Sequence, residues 1–391
     1  MTLGGPEGMS ETAKKDGWRR YFTVRRALAN TALVVYCLVL FLIFDFAWSS
    51  LTMGEEKERS ARIANPAYDH GFAPNFDGHD VWGEVRYRLI TNSLGFKDSS
   101  ARNVPMKAST RRILVIGDSF AEGIGMTYED SFAGLLDQAG QQRRDKIEFL
   151  NAGVASYSPS IYYKKIKYLL DSGLQFGEVV LFSDPSDVTD EANSYFCIDD
   201  DPKYRQYCTN AEGSRQAVAA DPKKPNFLID RFVITNRIRI AIKRWTQSLS
   251  GNRKIALSTD YARIGWTNPR AEPGNSYRPL GIDGGIARSV QNMRALSDLL
   301  AERKIPLTIV VYPWAQQIAQ GDRNSRQVSL WREFCEGRCK AFIDLFPVFF
   351  AQADADKNWY ERLYIVGDDH FSAAGNRLVF EEVAKRLFSK P

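Results

Sequence analysis

Twenty-two consecutive residues, Ala27 to Trp48, read ALANTALVVYCLVLFLIFDFAW. As a helix this run extends about 33 Å, enough for the hydrocarbon core of a bilayer. Lys14, Lys15, Arg19, Arg20, Arg25 and Arg26 precede it, which favours a cytoplasmic N-terminus and an exported C-terminal body. Asp45 interrupts the run near its far end, where a carboxylate can reach the headgroups. The rivals are a buried helix of a soluble protein and a cleaved leader. The length of the run and the poor small-residue site FAWSS argue for a retained anchor.

The cysteines agree with export. Cys37 lies inside the anchor, and the other four fall as near neighbours, Cys197/Cys208 and Cys335/Cys339. Two short-loop disulfides in an oxidising space are expected. Zinc is the weaker alternative, because none of the three histidines, His70, His79 and His370, stands beside these cysteines; no metal site is expected. With 391 residues, 44% of them apolar, the chain can fill a sizeable core. Its net charge is +5, of which residues 1–26 supply +3. No nucleic-acid partner is implied.

The expected organisation is a basic tail (1–26), the anchor (27–48), a polar stalk and lead-in (49–110) and a folded body (111–388). Within the lead-in, EVRYRLITNSLGFKDSS suggests a small hairpin bending near Asn92–Gly95. The body alternates strands at 112–117, 147–151, 178–183, 306–313 and 341–346 with helices near 130–140, 160–171, 286–303 and 372–388. That alternation calls for a mostly parallel sheet with helices on both faces. An insertion at about 191–285 carries the amphipathic FLIDRFVITNRIRIAIKRW, expected to be a helix packed on its own domain, with membrane or partner binding as the alternative.

The stretch RRILVIGDSFAEG places Asp118 and Ser119 where an apolar strand stops, at the rim where α/β sheets keep their functional residues. Gly153 and Ser186–Asp187 come after the next two strands. Near the C-terminus, VGDDHFSAAGN sets His370 beside two carboxylates. A serine, a histidine and an acid on one sheet edge are the elements of a nucleophilic hydrolase. The bland reading is a strand-exit turn that caps a helix, with a structural His–Asp pair. Neither G-x-G-x-x-G nor a Gly-Lys-Ser/Thr ending is present, and no cofactor is expected.

Over residues 111–388 the sequence resembles the SGNH/GDSL hydrolase superfamily. VIGDSFAEG looks like its first block, LNAGVASYSPS its second, LFSDPSDVTD its third and GDDHFSAAGN its last. The resemblance implies a three-layer α/β/α fold and hydrolysis or transfer of acyl groups. It carries over Ser119 as nucleophile, Gly153 as oxyanion donor beside the Ser119 amide, and His370 as base. ITNSLGFKD and VVYPWAQQI resemble a membrane-anchored bacterial branch, with relatives acting in O-acetylation of exported polysaccharides. That implies an inner-membrane, single-pass protein with a periplasmic body, an envelope carbohydrate or acyl-ester substrate, and a membrane-bound acyltransferase partner. Two departures stand out. Ser186 occupies the place of an oxyanion-hole Asn, and Gly367 that of the usual acid. Asp368 is the expected replacement because its spacing lets the carboxylate curl behind the ring; Asp369 is the alternative, and Asp118 supports the turn. Both departures also suit a non-catalytic carbohydrate-binding or assembly component on the same fold.

Overall fold

The strand and helix patterns of the body resolve into one parallel sheet. The computed structural model describes residues 11–52, 61–82, 85–198, 261–268 and 276–388, with eight positions between 232 and 246. The chain divides into two compact units, Met1–Glu58 with Lys223–Asn252, and Arg59–Pro222 with Arg253–Pro391.

In the first unit, helix α1 runs Glu11–Thr52. Its stretch Arg25–Ser50 is long and apolar enough to cross a membrane, alone among the described residues, which supports a single-pass topology. Leu33, Val34, Leu38 and Ile43 are exposed on it, as lipid-facing positions must be. The amphipathic stretch 228–246 departs from expectation. Its residues 234, 235, 238, 239, 241, 242 and 246 are helical, but they belong to the anchor's unit and not to the body. Asp45 supplies the physical reason. Its carboxylate accepts the N–H groups of Ile234 (3.0 Å) and Thr235 (2.7 Å) and the Thr235 hydroxyl (2.6 Å). The acid expected to reach for headgroups is instead fully buried.

In the second unit, strands β5 (Arg111–Gly117), β6 (Ile147–Asn151), β7 (Glu178–Ser183), β8 (Leu307–Val311) and β9 (Ala341–Asp344) pair in the order β6-β5-β7-β8-β9. All pairings are parallel, with Val115 lying between Asn151 and Val180. Strands β6, β7 and β8 are buried at every position. Their apolar stretches, Phe149–Leu150, Val179–Phe182 and Ile309–Val311, are what a sheet covered on both faces requires. Helices α3 (Phe132–Gln141) and α7 (Ala373–Leu387) pack together, as do α4 (Pro159–Asp171), α5 (Asp187–Asn193) and α6 (Gly281–Glu302), in a three-layer α/β/α arrangement. Short helix α2 (Ser119–Glu122) comes directly after β5.

The lead-in is no stalk from residue 61 onward. Strands β1 (Arg62–Asn65) and β2 (Asp69–Phe72) form one antiparallel pair, and β3 (Asp77–Trp82) and β4 (Val85–Ile90) another. The bend at Asn92–Gly95 exists, closed by Gly95 N–H to Asn92 O at 2.9 Å, but β4 pairs upstream. Tyr87, Leu89 and Phe96 are buried. Polar residues are consumed in contacts to the body: Arg62 binds Glu122 at 2.7 and 2.9 Å, and Lys97 Nζ donates to the Gly123 and Met126 carbonyls at 2.7 Å each. His70 is structural, held between Asp69 and the Ala155 carbonyl at 2.8 Å each.

The insertion's two ends also pack on the body. Val188, Ala192, Trp266 and Tyr277 make a small second core, and the Trp266 indole donates to Pro185 O at 2.6 Å. Cys335 and Cys339 are joined. Cys197 is disulfide-bonded as well; Cys208, its expected partner, lies outside the described residues. Cys37 is free.

Candidate active site

The strand order places a switch point at β5 and β7, where neighbouring crossovers diverge and open a crevice beyond the strand ends. Ser119 begins α2 at that crevice. Asp118 caps the helix, its carboxylate accepting the Phe120 N–H at 3.0 Å. The loop after β6 closes onto α2 at Gly153, where a Cβ would lie only 2.7 Å from the Ala121 Cβ. No larger residue fits that approach without displacing one of the two segments.

The C-terminal loop brings His370 to Ser119 from 251 residues away, with Nε2 2.7 Å from the serine Oγ. The other ring nitrogen meets Asp368 Oδ1, and the same oxygen accepts the His370 backbone N–H at 2.9 Å. Asp369 points elsewhere, to Gln316. At Gly367 the backbone is left-handed, φ 83°, a turn that an aspartate at that position would strain. The turn delivers the next carboxylate to the ring.

Sequence reasoning missed a fourth member. The Trp82 indole N–H donates to Asp368 Oδ2 at 2.6 Å, so each carboxylate oxygen has its own donor. Its ring also meets His370 edge-on, 5.1 Å between centroids at 82°, and Phe120 covers the imidazole from 4.8 Å. The only local signal for Trp82 is the apolar VW ending a polar strand.

These contacts set the charges. Burial works against ionised Asp368, but His370 and the Trp82 indole outweigh it, and the carboxylate titrates below its ordinary value. Burial likewise opposes a charged His370, yet Asp368 raises its pKa above the ordinary imidazole value. Asp118 is pushed up to about 8 by burial and then by Asp184. Its Oδ2 lies 3.0 Å from Ser119 Oγ. The Ser119 hydroxyl donates to that carboxyl oxygen and has His370 Nε2 as its alternative acceptor.

The remaining candidates stand differently. Asp184 receives Tyr312 OH (2.9 Å), Trp314 Nε1 (2.7 Å) and the Ser186 N–H (2.7 Å). Tyr312 also stands 3.2 Å from Asp118, so the third block connects to the nucleophile turn through one tyrosine. The Ser186 hydroxyl makes no hydrogen bond among the described residues and is free to turn. The Gly153 N–H donates to Asn151 Oδ1 at 3.1 Å. Across the same peptide unit, buried Lys165 donates to the Ala152 carbonyl at 2.9 Å, which fixes the plane of the Gly153 amide.

No protein-family model matches this chain, and no curated protein is similar to it. Solved structures with a similar course include a catalytic mutant of an acetylxylan esterase from Geobacillus stearothermophilus, 10% identical, covering 73% of this chain and 98% of that one, TM-score 0.39. A psychrotrophic esterase from Pseudoalteromonas sp. is 11% identical over 71% of this chain and 100% of its own, TM-score 0.37. A member of the lipolytic protein G-D-S-L family from Veillonella parvula is 11% identical over 72% and 100%, TM-score 0.38. The likeness extends to neither activity nor substrate.

Proposed function

We propose that the body is a serine esterase or acyltransferase of SGNH type, acting on O-acyl, chiefly O-acetyl, groups of an envelope carbohydrate. The observation that carries this reading is the chain Ser119–His370–Asp368, with Oγ at 2.7 Å from Nε2 and the carboxylate on the opposite ring nitrogen. Ser119 Oγ attacks the ester carbonyl carbon while its proton passes to His370 Nε2. Asp368 holds the imidazole in the required tautomer and stabilises the imidazolium. The tetrahedral oxygen takes the Ser119 N–H, with Gly153 N–H turning from Asn151 and Ser186 Oγ as further donors. Collapse releases the carbohydrate hydroxyl, reprotonated by His370, and leaves an acyl-serine. Water completes hydrolysis; a second carbohydrate hydroxyl completes transfer.

The basic residues from Lys14 to Arg26, ahead of the apolar stretch of α1, favour a cytoplasmic N-terminus and a periplasmic body at a bacterial inner membrane. There an acetyl group supplied across the membrane by a membrane-bound acyltransferase would reach it. The donors that a hole needs are only partly aimed, since Gly153 N–H and the Ser186 backbone N–H have internal acceptors. That favours a second reading, a carbohydrate-binding or assembly component with the same fold.

One experiment separates them. The protein is incubated with an activated acetyl ester and digested, and the Ser119 peptide is weighed. An acetyl adduct absent in Ser119→Ala supports the enzyme; glycan binding with no adduct and no turnover supports the second reading. In the same assay Ser186→Asn should raise kcat/KM for a small acetyl ester and Ser186→Ala should lower it, because a serine reaches less far than an asparagine amide.

A further inference from the structure

Asp45 sits five residues before the end of the apolar stretch Arg25–Ser50. At helical rise that is about 7.5 Å along the axis, the depth at which acyl chains give way to headgroups. The Ile234 and Thr235 amides bonded to its carboxylate are therefore fixed at the same depth. Phe46 of the anchor and Phe232 reinforce the joint, with ring centroids 5.8 Å apart. The carboxylate occupies the start of the helical residues, where backbone N–H groups and the helix dipole favour an anion. Ser49 adds a bond from its hydroxyl at 3.3 Å.

The segment leaving this joint is amphipathic. Ile238 and Ile242, one helical turn apart and so on one face, are 46% and 54% exposed. The same stretch, from Phe232 to Gln247, carries Arg237, Arg239, Lys243 and Arg244 and no acid. Two exposed isoleucines in a stretch whose charges are all basic, begun at interfacial depth, are the pattern of a segment lying in a membrane surface. The interfacial depth of the Asp45 joint identifies what covers the isoleucines.

We propose that the stretch from Ile234 to Thr246 is an interfacial membrane element. Asp45 hands it from the anchor into the leaflet opposite the basic tail. Ile238 and Ile242 enter the acyl-chain boundary there, and the basic residues meet the phosphates of anionic phospholipid. This inference rests on the anchor crossing the bilayer and is independent of the chemistry assigned to Ser119.

The test uses the full chain in nanodiscs of phosphatidylethanolamine and phosphatidylglycerol, with Cys37→Ser as background. A nitroxide is attached at Ile242→Cys, and at Leu38→Cys in the anchor as a control. Power saturation compares accessibility to oxygen, which partitions into lipid, with that to a water-soluble nickel chelate. The expected result is an oxygen preference at both positions. Adding Asp45→Ala should raise nickel accessibility at Ile242→Cys several-fold and leave Leu38→Cys unchanged. A nickel preference at Ile242→Cys in the parent background would put the helix in water and overturn the proposal. Shielding from both reagents would show that a protein, whether a second copy or another partner, covers the face, and would equally overturn it. An unchanged label in Asp45→Ala would remove Asp45 as the joint.

Discussion

Trp82 reaches Asp368 across 286 residues of sequence, and that single bond accounts for the second carboxylate oxygen. Trp82→Phe keeps a ring against His370 but deletes the donor. Hydrogen bonds to charged groups are worth about 1.5–3 kcal/mol, so kcat/KM should fall roughly 10-fold or more with KM little changed. A steady-state comparison with Trp82→Ala, which also removes the ring, checks this; equal activity in Trp82→Phe would make the indole incidental. The pH profile carries the second mark. In the proposed mechanism His370 acts as base only when neutral, and Asp368 overcomes burial to raise its pKa. Activity should therefore be lost as pH falls through a midpoint above the ordinary imidazole value of about 6.5. Ser119 and His370 are legible in the sequence because a hydroxyl ending an apolar strand and a histidine beside two acids are local events. Two-residue spacing makes Asp368 the acid able to curl behind the ring, and its carboxylate lies there. Trp82 has no such local mark, since its partner is set by how a separate hairpin folds back.

Elements of the lead-in hold α2 in place, among them Arg62 in β1, which pairs with Glu122 at the end of α2. Glu122 is fully buried and also accepts the Ala155 N–H at 2.7 Å. Burial pushes its pKa up, but Arg62 more than offsets this, and the carboxylate titrates below its ordinary value. Arg62→Met strands the charge, which should cost about 3–5 kcal/mol. A carboxylate with a lowered folded pKa contributes stability above its unfolded pKa and loses it as pH falls through the folded one. The gap between parent and variant in denaturant titrations should thus be widest near neutral pH and narrow on acidification. A gap that stays constant with pH would assign the loss to packing. The sheet's strands are readable because a sheet covered on both faces demands short apolar runs, Ile113–Ile116 and Val179–Phe182 among them. The lead-in is not: its charges look solvated in sequence, and only folding shows that Arg62, Glu122 and Lys97 neutralise or bond one another's surroundings. The anchor-side placement of Ile234 and Thr235 is equally hidden, because one aspartate inside an apolar run gives no hint of its acceptor role.

At the scale of the whole molecule the chain passes between its two units three times, at Glu58/Arg59, Pro222/Lys223 and Asn252/Arg253. A protease site engineered between residues 53 and 60 and cut by protease added outside spheroplasts tests the proposed orientation directly; no cleavage until lysis would reverse it. Cleavage also has an unusual expected outcome. The fragment beginning after the cut still contains Ile234 and Thr235, which remain clasped by Asp45 on the other fragment. The body should sediment with membranes after complete cutting and appear in the supernatant only when Asp45→Ala is added. Many surface proteins are shed by one cut in a stalk. A chain that returns to its own anchor after leaving it keeps a non-covalent latch, and a single nick would not set it loose.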